Sequence, residues 1–500
     1  MQFKNGIRQL CCVALAVMTV SALLHAEVIA PLVQGDEAIV VTRHTVQTVK
    51  GPLEYEARAG RLPIRNDENG QVRAWIFFVA YVAKADPGQR RPLTFLWNGG
   101  PTADSMLVHT EVFGPRRYTD NGMVDNAETL LTTSDLVFYD PVETGFSRPA
   151  QADDSEFLST LGDFAETAEF VRSYRARFGA EKQPLFLGGE SYGTWRVCGV
   201  TELLTKRGIS VAGAILISGG VPGSLMPPTF QDAMYVPART ATAFELKKLP
   251  ARWMRDKQAT MNAVAEWTRT VYWPALDHRD TLSDSERDAI AKQLAAFIGL
   301  SEERIDRKTL VVSNRMYLKE LFGSDEKKEL NPYDMRIVGH EAEHPARSRI
   351  LGDYLRHELG YNTDLAYHGL EDGYMPLPGP ARRSTGERWA YNHVEITPES
   401  LARMNAGGGP PLSQPWLQNA MRVDQAIRVF VAAGRYDSLN MCEGNRLMSA
   451  KLEPGLSHRF THACYEGGHM MYRDQPTRLK ISTDIAAFLN NEPFNTQEER

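Results

Sequence analysis

The sequence predicts an α/β protein with a mostly parallel central sheet and helices on both of its faces. Between residues 134 and 220, short apolar runs alternate with segments of helical periodicity, which is typical of parallel strands joined by helical crossovers. The same alternation returns near Gln425 and continues towards the end of the chain. With 500 residues, of which 43% are hydrophobic and 24% charged, the chain can bury the large core that such a sheet needs.

Two other regions complete the predicted organisation. Residues 38–98 alternate apolar and polar side chains between glycine-containing breaks, which predicts antiparallel strands leading into the sheet. Residues 225–370 hold amphipathic helical segments, such as 283–299 and 315–322, and proline-rich connections. We therefore predict a core formed by 27–224 and 371–500, with 225–370 inserted as a helical cap that shapes a pocket and excludes water.

The first 26 residues have the pattern of an export signal. Lys4 and Arg8 precede an apolar run from 10 to 24, and small residues follow at Ala26 and Ala30. A membrane anchor is the alternative, but the apolar run is shorter than the ~20 residues that a span requires. We expect an exported protein, periplasmic or extracellular, with no membrane contact after signal cleavage.

Charge limits the partners. Loss of residues 1–26 removes two basic residues and no acidic ones, so that the net charge of −6 becomes −8. A mildly acidic chain without a basic run gives no reason to expect nucleic acid as a partner. A homodimer is a candidate assembly.

The pentapeptide Gly189-Glu190-Ser191-Tyr192-Gly193 is the most informative motif. A predicted strand over 184–188 precedes it, and a predicted helix over 194–206 follows it. A G-x-S-x-G sequence between strand and helix is the nucleophile elbow, a strained turn that exposes the serine hydroxyl. The alternative is a glycine-rich turn without chemistry, but the flanking elements favour Ser191 as a nucleophile.

An elbow serine requires a base and an orienting acid, which follow it in the order acid, histidine. Asp437 comes after a predicted strand over 427–433, and His469 comes after a second one over 459–465 and a Gly-Gly pair. Parallel sheets place their chemistry at this carboxyl end of the strands. Asp437 and His469 are therefore the predicted acid and base.

Other residues compete for these two roles. His458 and His462 are assigned to the start and the middle of the predicted strand rather than to the loop after it, which disfavours them as bases. Asp424 and Glu443 are the neighbouring acidic alternatives to Asp437.

Backbone donors for a developing oxyanion are predicted at a third strand end. Asn98-Gly99-Gly100-Pro101 follows directly on an apolar run over 91–97. The amides of Gly100 and of Tyr192, the residue after the nucleophile, are the predicted donors. An ordinary Gly-Pro turn is the alternative, and the coincidence of three motifs at three strand ends disfavours it.

Together these motifs resemble the serine carboxypeptidase family, in a form typical of bacteria, whose members have the α/β-hydrolase fold. The resemblance spans about positions 90 to 475 and extends more weakly upstream from Tyr55. The matching motifs are Trp97-Asn98-Gly99-Gly100-Pro101, Phe113-Gly114-Pro115, Asp140-Pro141, Thr144-Gly145-Phe146-Ser147, the pentapeptide 189–193, Gly434 with Asp437, and Gly467-Gly468-His469-Met470.

The resemblance implies a carboxypeptidase that binds the free carboxylate of a peptide through Asn98, Gly99 and Glu190. Two carboxyl groups can share a hydrogen bond only if one is protonated, so Glu190 must be neutral when substrate is held. Burial and a like-charged neighbour should raise its pKa and favour activity at acidic pH. A second glutamate usually pairs with the first, and Glu111 is the candidate, one residue further from Gly114-Pro115 than the family pattern places it.

The chain departs from the family after the oxyanion turn. Thr102-Ala103-Asp104 stands where the family has a glycine, a cysteine or serine, and a serine. Asp104 adds negative charge near the expected carboxylate site. Two alternatives therefore stay open beside a carboxypeptidase: a serine esterase or acyltransferase on the same scaffold, and a catalytically silent binding protein.

Three cysteines remain after signal removal. Cys442 and Cys464 lie near the loops that carry Asp437 and His469. The alternatives are a disulfide between them, which export would permit, and two free thiols. Cys198, in the predicted elbow helix, is expected to be a buried free thiol. His340 and His344, with their intervening acids, are expected in a surface loop rather than at zinc. We expect no metal and no cofactor.

Overall fold

A ten-stranded mixed sheet forms the centre of the molecule. The computed structural model describes residues 38–84, 88, 90–220, 226–323, 328–339, 346–369, 386–394, 397–405 and 414–493. The strands are β1 (Ile39–Thr48), β2 (Gly51–Arg65), β3 (Val72–Ala83), β4 (Leu93–Trp97), β5 (Arg116–Thr119), β6 (Gly122–Asp125), β7 (Asp135–Tyr139), β8 (Arg148–Pro149), β9 (Leu185–Glu190), β10 (Gly213–Ile217), β11 (Arg428–Gly434) and β12 (Phe460–Tyr465).

The sheet has an antiparallel and a parallel half. Its order is β1-β2-β3-β7-β4-β9-β10-β11-β12, β8 also pairs with β3, and β5 and β6 form a separate ribbon. The pairings from β1 to β7 are antiparallel, whereas those from β7 to β12 are parallel. The prediction of antiparallel strands over 38–98 is therefore confirmed for β1 to β3 but wrong for β4, which pairs in parallel with β7 and β9. The prediction of a mostly parallel sheet in the rest of the core is confirmed.

Helices cover both faces because the central strands are apolar on both sides. In β4, Phe95 and Trp97 belong to one hydrophobic core, and Leu96 between them belongs to the other. The helices are Thr160–Phe178, Gly193–Lys206, Pro228–Met234, Val236–Glu245, Lys257–Trp267, Trp273–Asp277, Asp284–Ile298, Asn314–Glu320, Ala346–Asp353, Pro398–Asn405, Trp416–Val423, Cys442–Ala450, Pro454–Ser457 and Gln475–Asn490.

The described part of the predicted cap is mostly helical. Helices Val236–Glu245, Lys257–Trp267 and Asp284–Ile298 pack against one another, and their apolar faces include Val264 and Leu294. The last of these helices begins at a Ser283–Glu286 capping box and ends at Gly299 in the left-handed conformation. No helix among the described residues is long and apolar enough to cross a bilayer.

Two local predictions are corrected by the structure. The strand before the elbow does not end at residue 188, because β9 runs on through Gly189 and Glu190 against β10. His458 lies outside the strand and follows the short helix Pro454–Ser457, where its ring contacts the carbonyl of Pro454. The signal segment 1–26 and the loop containing His340 and His344 lie outside the described residues.

Candidate active site

Ser191 lies in a strained turn between β9 and the helix Gly193–Lys206, which we call the elbow helix. Its φ of 58° is in the left-handed region that few non-glycine residues adopt. The Ser191 amide donates to the carbonyl of Ile217, 2.8 Å away, which joins the turn to the end of β10. A side chain at Gly189 would have its Cβ 2.2 Å from the carbonyl oxygen of Gly193, so this elbow requires glycine for close packing.

Asp437 and His469 form a buried pair at the ends of β11 and β12. The Nδ1 atom of His469 lies 2.7 Å from Oδ2 of Asp437, whose side chain is fully buried. The other oxygen of Asp437 accepts the Leu439 amide at 2.8 Å. Burial opposes the charged form of His469, but the charges of Asp437 and Glu190 outweigh it, so the pKa of His469 is raised.

The elbow and the histidine loop are connected through the end of β10. Ser218 directly follows Ile217, which accepts the Ser191 amide, and its hydroxyl donates to the backbone carbonyl of His469. On the other side, the His469 amide donates to the carbonyl of Tyr333 in the predicted cap, at 2.5 Å. His469, the predicted base, is thereby held by residues of the sheet and of the predicted cap.

The competing histidine lies apart from the predicted acids. His462 lies within β12, and its Nε2 atom is 2.6 Å from the Ser449 hydroxyl. Burial lowers its pKa to about 4, and the charge of Arg446 contributes in the same direction. This favours a neutral His462 with a structural role.

The glycine turn after β4 lies directly against the elbow. A Cβ at Gly99 would be 2.6 Å from both the carbonyl oxygen of Glu190 and the amide nitrogen of Tyr192. Gly100 has a φ of 102°, which only glycine adopts without strain. Among the described residues, the amides of Gly100 and Tyr192 donate to no protein acceptor. Both are therefore available to an oxyanion.

Glu190 lies in a buried hydrogen-bonding site next to the elbow, with a side chain only 2% exposed. The amide group of Asn98 donates to its Oε2 atom, and the hydroxyl of Tyr472 lies 3.0 Å from each carboxyl oxygen. Burial, with a smaller contribution from the charge of Glu111, raises the pKa of Glu190 to about 7 against the opposing effects of His469, Tyr472 and Arg473. Glu190 can thus be neutral in weakly acidic solution.

Glu111 has partners other than the predicted one. It lies in the π-helical turn Val108–Phe113, where its carboxylate accepts from Arg347 at 2.9 Å and from Arg473 at 2.8 Å. Among the described residues it makes no hydrogen bond with Glu190. The structure thus places Glu111 at the edge of the site, where it forms ion pairs with Arg347 and Arg473. Glu111 affects Glu190 only through its charge, which raises the pKa of Glu190.

Tyr472 is a site residue that the sequence reasoning missed. It lies three residues after His469, in the short 3-10 helix Met471–Arg473, and its closeness in sequence to the predicted base was the available signal. Its partner Glu190 is 282 positions away in the chain, so no local pattern links the two.

The Thr102-Ala103-Asp104 departure forms a compact turn. Oδ1 of Asp104 accepts the Met106 amide at 2.9 Å. The amide of Ser105, which lies between these two residues in the sequence, donates to Oδ1 of Asp140 at 2.9 Å. Burial and the charge of Asp104 raise the pKa of Asp140 to about 8. The negative charge of Asp104 thus acts on Asp140.

A disulfide joins Cys442 to Cys464 and connects the start of the helix Cys442–Ala450 to β12. Cys198 is a buried free thiol whose pKa is raised by burial. No cluster of three or more potential metal ligands occurs in the described part of the chain.

Comparisons with known proteins agree with this architecture. Residues 48–212 match the model of a family described as serine carboxypeptidase. The pheromone-processing carboxypeptidase kex1 of Aspergillus niger is 27% identical over 198 residues, which are 38% of this chain and 31% of that protein. The chain thus matches about a third of the length of this curated relative.

The fold is shown by a solved structure. The crystal structure of Kex1(delta)p, a prohormone-processing carboxypeptidase from Saccharomyces cerevisiae, superposes with a TM-score of 0.52 at 17% identity. The superposition covers 87% of this chain and 91% of that one, and it shows that the protein has the α/β-hydrolase fold. The sequence match over 48–212 is to the serine carboxypeptidase family, and both the glycine turn after β4 and the elbow pentapeptide lie inside the matched residues.

Proposed function

We propose that the protein is a serine carboxypeptidase that removes C-terminal residues from peptides. The observation that carries this proposal is the buried Glu190, held by Asn98 and Tyr472 immediately before Ser191. A neutral carboxylic acid beside an amide donor can hold the carboxylate of a substrate. An ordinary esterase has no need of this arrangement.

The reaction proceeds through an acyl-enzyme. The Ser191 hydroxyl attacks the scissile carbonyl while His469 takes its proton, and Asp437 holds the His469 ring in the required tautomer. The amides of Gly100 and Tyr192 donate to the oxyanion. His469 then protonates the leaving amine, and a water molecule, activated by the same histidine, hydrolyses the ester to Ser191.

Substrate binding depends on the protonation of Glu190. Below its pKa of about 7, the neutral acid donates a hydrogen bond to the substrate carboxylate, and Asn98 and the Gly99 turn contribute further contacts. Above that pH, two negative charges meet in a buried site and binding weakens. Preference for a free carboxylate is therefore strongest in weakly acidic solution.

We also propose that the protein is exported. The basic and apolar pattern of residues 1–26 supports this, and a disulfide between Cys442 and Cys464 is stable in the oxidising environment outside the cytoplasm. The peptide substrates would then be met in the periplasm or outside the cell.

Hydrolysis of an N-blocked dipeptide and of its C-terminally amidated twin between pH 4 and 8 tests the proposal. The free acid should be strongly preferred at acidic pH. Activity should vanish in Ser191→Ala, and the preference should weaken in Glu190→Gln. Equal turnover of the amide, without an acidic preference, would overturn the carboxypeptidase assignment.

The turn formed by Thr102, Ala103 and Asp104 favours one second candidate, a serine esterase or acyltransferase. It replaces the family residues beside the oxyanion donors and so changes the surface that a peptide would meet. Faster turnover of a small ester than of the dipeptide, again dependent on Ser191, would favour this function. Lack of labelling of the folded protein by a fluorophosphonate would instead indicate a silent binding protein.

A further inference from the structure

Behind the predicted oxyanion donors lies a fully buried ion pair with no role in the mechanism above. Arg196 is on the elbow helix, five positions after Ser191, and Asp163 is on the helix Thr160–Phe178. Their side chains are 0% and 1% exposed, and the ion pair is 2.9 Å long. Replacing such a pair by apolar residues often leaves stability unchanged or improves it, so its presence calls for another explanation.

The guanidinium of Arg196 holds both sides of the glycine turn. Its Nη1 atom donates to the carbonyl of Asn98 at 2.9 Å, and its Nη2 atom donates to that of Pro101 at 3.3 Å. These two carbonyls bracket Gly99 and Gly100. The Nε atom is 2.9 Å from each oxygen of Asp163, which fixes the plane of the guanidinium.

The peptide between the two bracketed glycines is fixed as well. The carbonyl of Gly99 accepts the Ala103 amide at 3.1 Å. In a trans peptide the N–H points away from the C=O, so the Gly100 N–H is directed away from Ala103. With the carbonyls of Asn98, Gly99 and Pro101 all held, the turn cannot rotate this N–H without breaking hydrogen bonds.

Asp163 also reaches the second donor residue. The Tyr192 hydroxyl donates to Oδ2 of Asp163 at 3.2 Å, and the Arg196 guanidinium lies 5.6 Å from the centre of the Tyr192 ring. The same ion pair therefore contacts the turn that carries Gly100 and the residue that carries the other amide.

We propose that Arg196, oriented by Asp163, is a positioning residue that aims the Gly100 and Tyr192 amides at the oxyanion. The role requires arginine because only its planar fork can donate to one carboxylate and two separate carbonyls together. A lysine at this position offers one compact ammonium group and cannot span them. The role rests on the serine hydrolase chemistry proposed above, but not on the identity of the substrate.

The test compares Arg196→Lys with Arg239→Lys. Arg239 is a matched control, since it is equally buried and donates to the carbonyl of Val312 at 2.8 Å, but it lies in the cap. For each variant we would measure kcat and KM with the blocked dipeptide and with an activated ester, the rate of fluorophosphonate labelling, and affinity for a peptide boronate, which mimics the tetrahedral intermediate. Thermal unfolding would verify the fold.

Arg196→Lys should lower kcat about 10- to 100-fold on both substrates, with KM changed less than about 3-fold. Labelling and boronate affinity should fall by similar factors, while Arg239→Lys leaves all of them within about 2-fold. Asp163→Asn, which keeps the size of the side chain, should lower kcat, labelling rate and boronate affinity in the same way but less strongly. If Arg196→Lys fails to fold, Asp163→Asn tests the positioning role in its place.

The outcomes separate this inference from the proposed function. Wild type that hydrolyses only the ester overturns the carboxypeptidase, while the ester kcat still decides the role of Arg196. A lower melting temperature with unchanged kcat, or an effect confined to KM, overturns the positioning role. Wild type that reacts with neither substrate nor probe overturns both.

Discussion

The hydroxyl of Tyr472 lies 3.0 Å from both carboxyl oxygens of Glu190, within the buried site before Ser191. A hydroxyl donor stabilises the charged carboxylate, so this contact partly offsets the burial that raises the pKa of Glu190 to about 7. Tyr472→Phe should therefore raise the pKa of Glu190 further, by roughly one unit, the effect of losing one hydrogen bond to a charged group.

The measurement is KM for the blocked dipeptide as a function of pH. In wild type, KM should increase as the pH rises through about 7, and in Tyr472→Phe the increase should move to higher pH. Tyr465→Phe is the matched control, because its buried hydroxyl donates to a different carboxylate, that of Asp484, at 2.7 Å. Coincident KM profiles of wild type and Tyr472→Phe would contradict the prediction.

Glu190 should also make stability depend on pH. Its pKa rises from an ordinary 4.5 to about 7 on folding, so the native state binds more protons between these values. The free energy of unfolding should then fall as the pH rises through this window, by roughly 3 kcal/mol at most. Because glutamine does not titrate, Glu190→Gln should be stabilised relative to wild type more at pH 8 than at pH 4.5.

Thermal unfolding at the two pH values tests this dependence. Glu68→Gln, a change at an exposed glutamate, is the control and should show no difference between pH 4.5 and 8 beyond that of wild type. A Glu190→Gln effect of the same size at both pH values would mean that Glu190 titrates as it does in the unfolded chain.

Gly99 should tolerate no side chain. The Cβ of Gly99→Ala would lie 2.6 Å from two backbone atoms of the elbow, which cannot withdraw as a flexible side chain can. The turn must shift, and the Gly100 donor with it, so labelling of Ser191 by a fluorophosphonate should slow at least 100-fold. Gly455→Ala is the control, because a Cβ there meets nothing within 4 Å. Wild-type labelling of Gly99→Ala would show that the turn does not set the donors.

The backbone of the site was predictable because its signals are local. Strand, glycine turn and helix follow one another around Ser191, and the glycine pair precedes His469, so each motif is visible within ten residues. The position of each motif directly after a strand then predicts that the motifs meet, since parallel strands bring their carboxyl ends to one edge of the sheet.

The side-chain environment was not predictable in this way. Asp163 and Arg196 are 33 positions apart, Arg196 and Asn98 are 98 apart, and Glu111 pairs with Arg473 from 362 positions away. Which charges meet depends on how helices and loops pack, and periodicity does not carry that information. Glu111 illustrates this. The family resemblance implied that it pairs with Glu190, whereas its carboxylate forms ion pairs with Arg347 and Arg473, which are both distant in the sequence.

The Cys442–Cys464 disulfide should stabilise the fold near both catalytic loops. It joins residues 22 positions apart, and closing a loop of this length in the unfolded chain corresponds to about 3 kcal/mol. The double variant Cys442→Ser with Cys464→Ser should melt at a lower temperature, and reductant should bring wild type to the same value. Cys198→Ala, at the buried free thiol, should keep the full response to reductant. A reductant effect that survives in the double serine variant would contradict this account.

Lys257 should hold the cap to the Asp437 loop. Next to Asp437, the hydroxyl of Tyr436 lies 2.7 Å from Glu466 and 3.0 Å from Glu245, and the ammonium of Lys257 lies 2.9 Å from the same hydroxyl. Lys257 also pairs with Glu245 at 2.7 Å and with Glu466 at 3.5 Å. It is a positive charge shared by Glu245 of the predicted cap and Glu466, and Glu466 keeps a second cationic partner in Arg435, at 3.0 Å.

Removing this charge should leave the two carboxylates repelling each other. Lys257→Met should lower the free energy of unfolding by about 1 kcal/mol, a modest amount because all three side chains are partly exposed. Added salt should restore part of it by screening the repulsion. Hydrogen bonding and charge from Lys257 lower the pKa of Glu245 in wild type, so its loss raises that pKa and lets acid relieve the repulsion earlier. The defect should therefore shrink as the pH falls towards 4.

A double-mutant cycle with Glu245→Gln distinguishes repulsion from lost packing. If repulsion causes the defect, Lys257→Met should cost less in the Glu245→Gln background than in wild type, and salt should have little effect there. Equal costs in both backgrounds, unaffected by salt or pH, would mean that the lysine stem packs on the Tyr436 ring and that its charge is incidental. Since Tyr436 directly precedes Asp437, the repulsion should also reach the acid that orients His469 and lower kcat a few-fold at neutral pH, with recovery in salt.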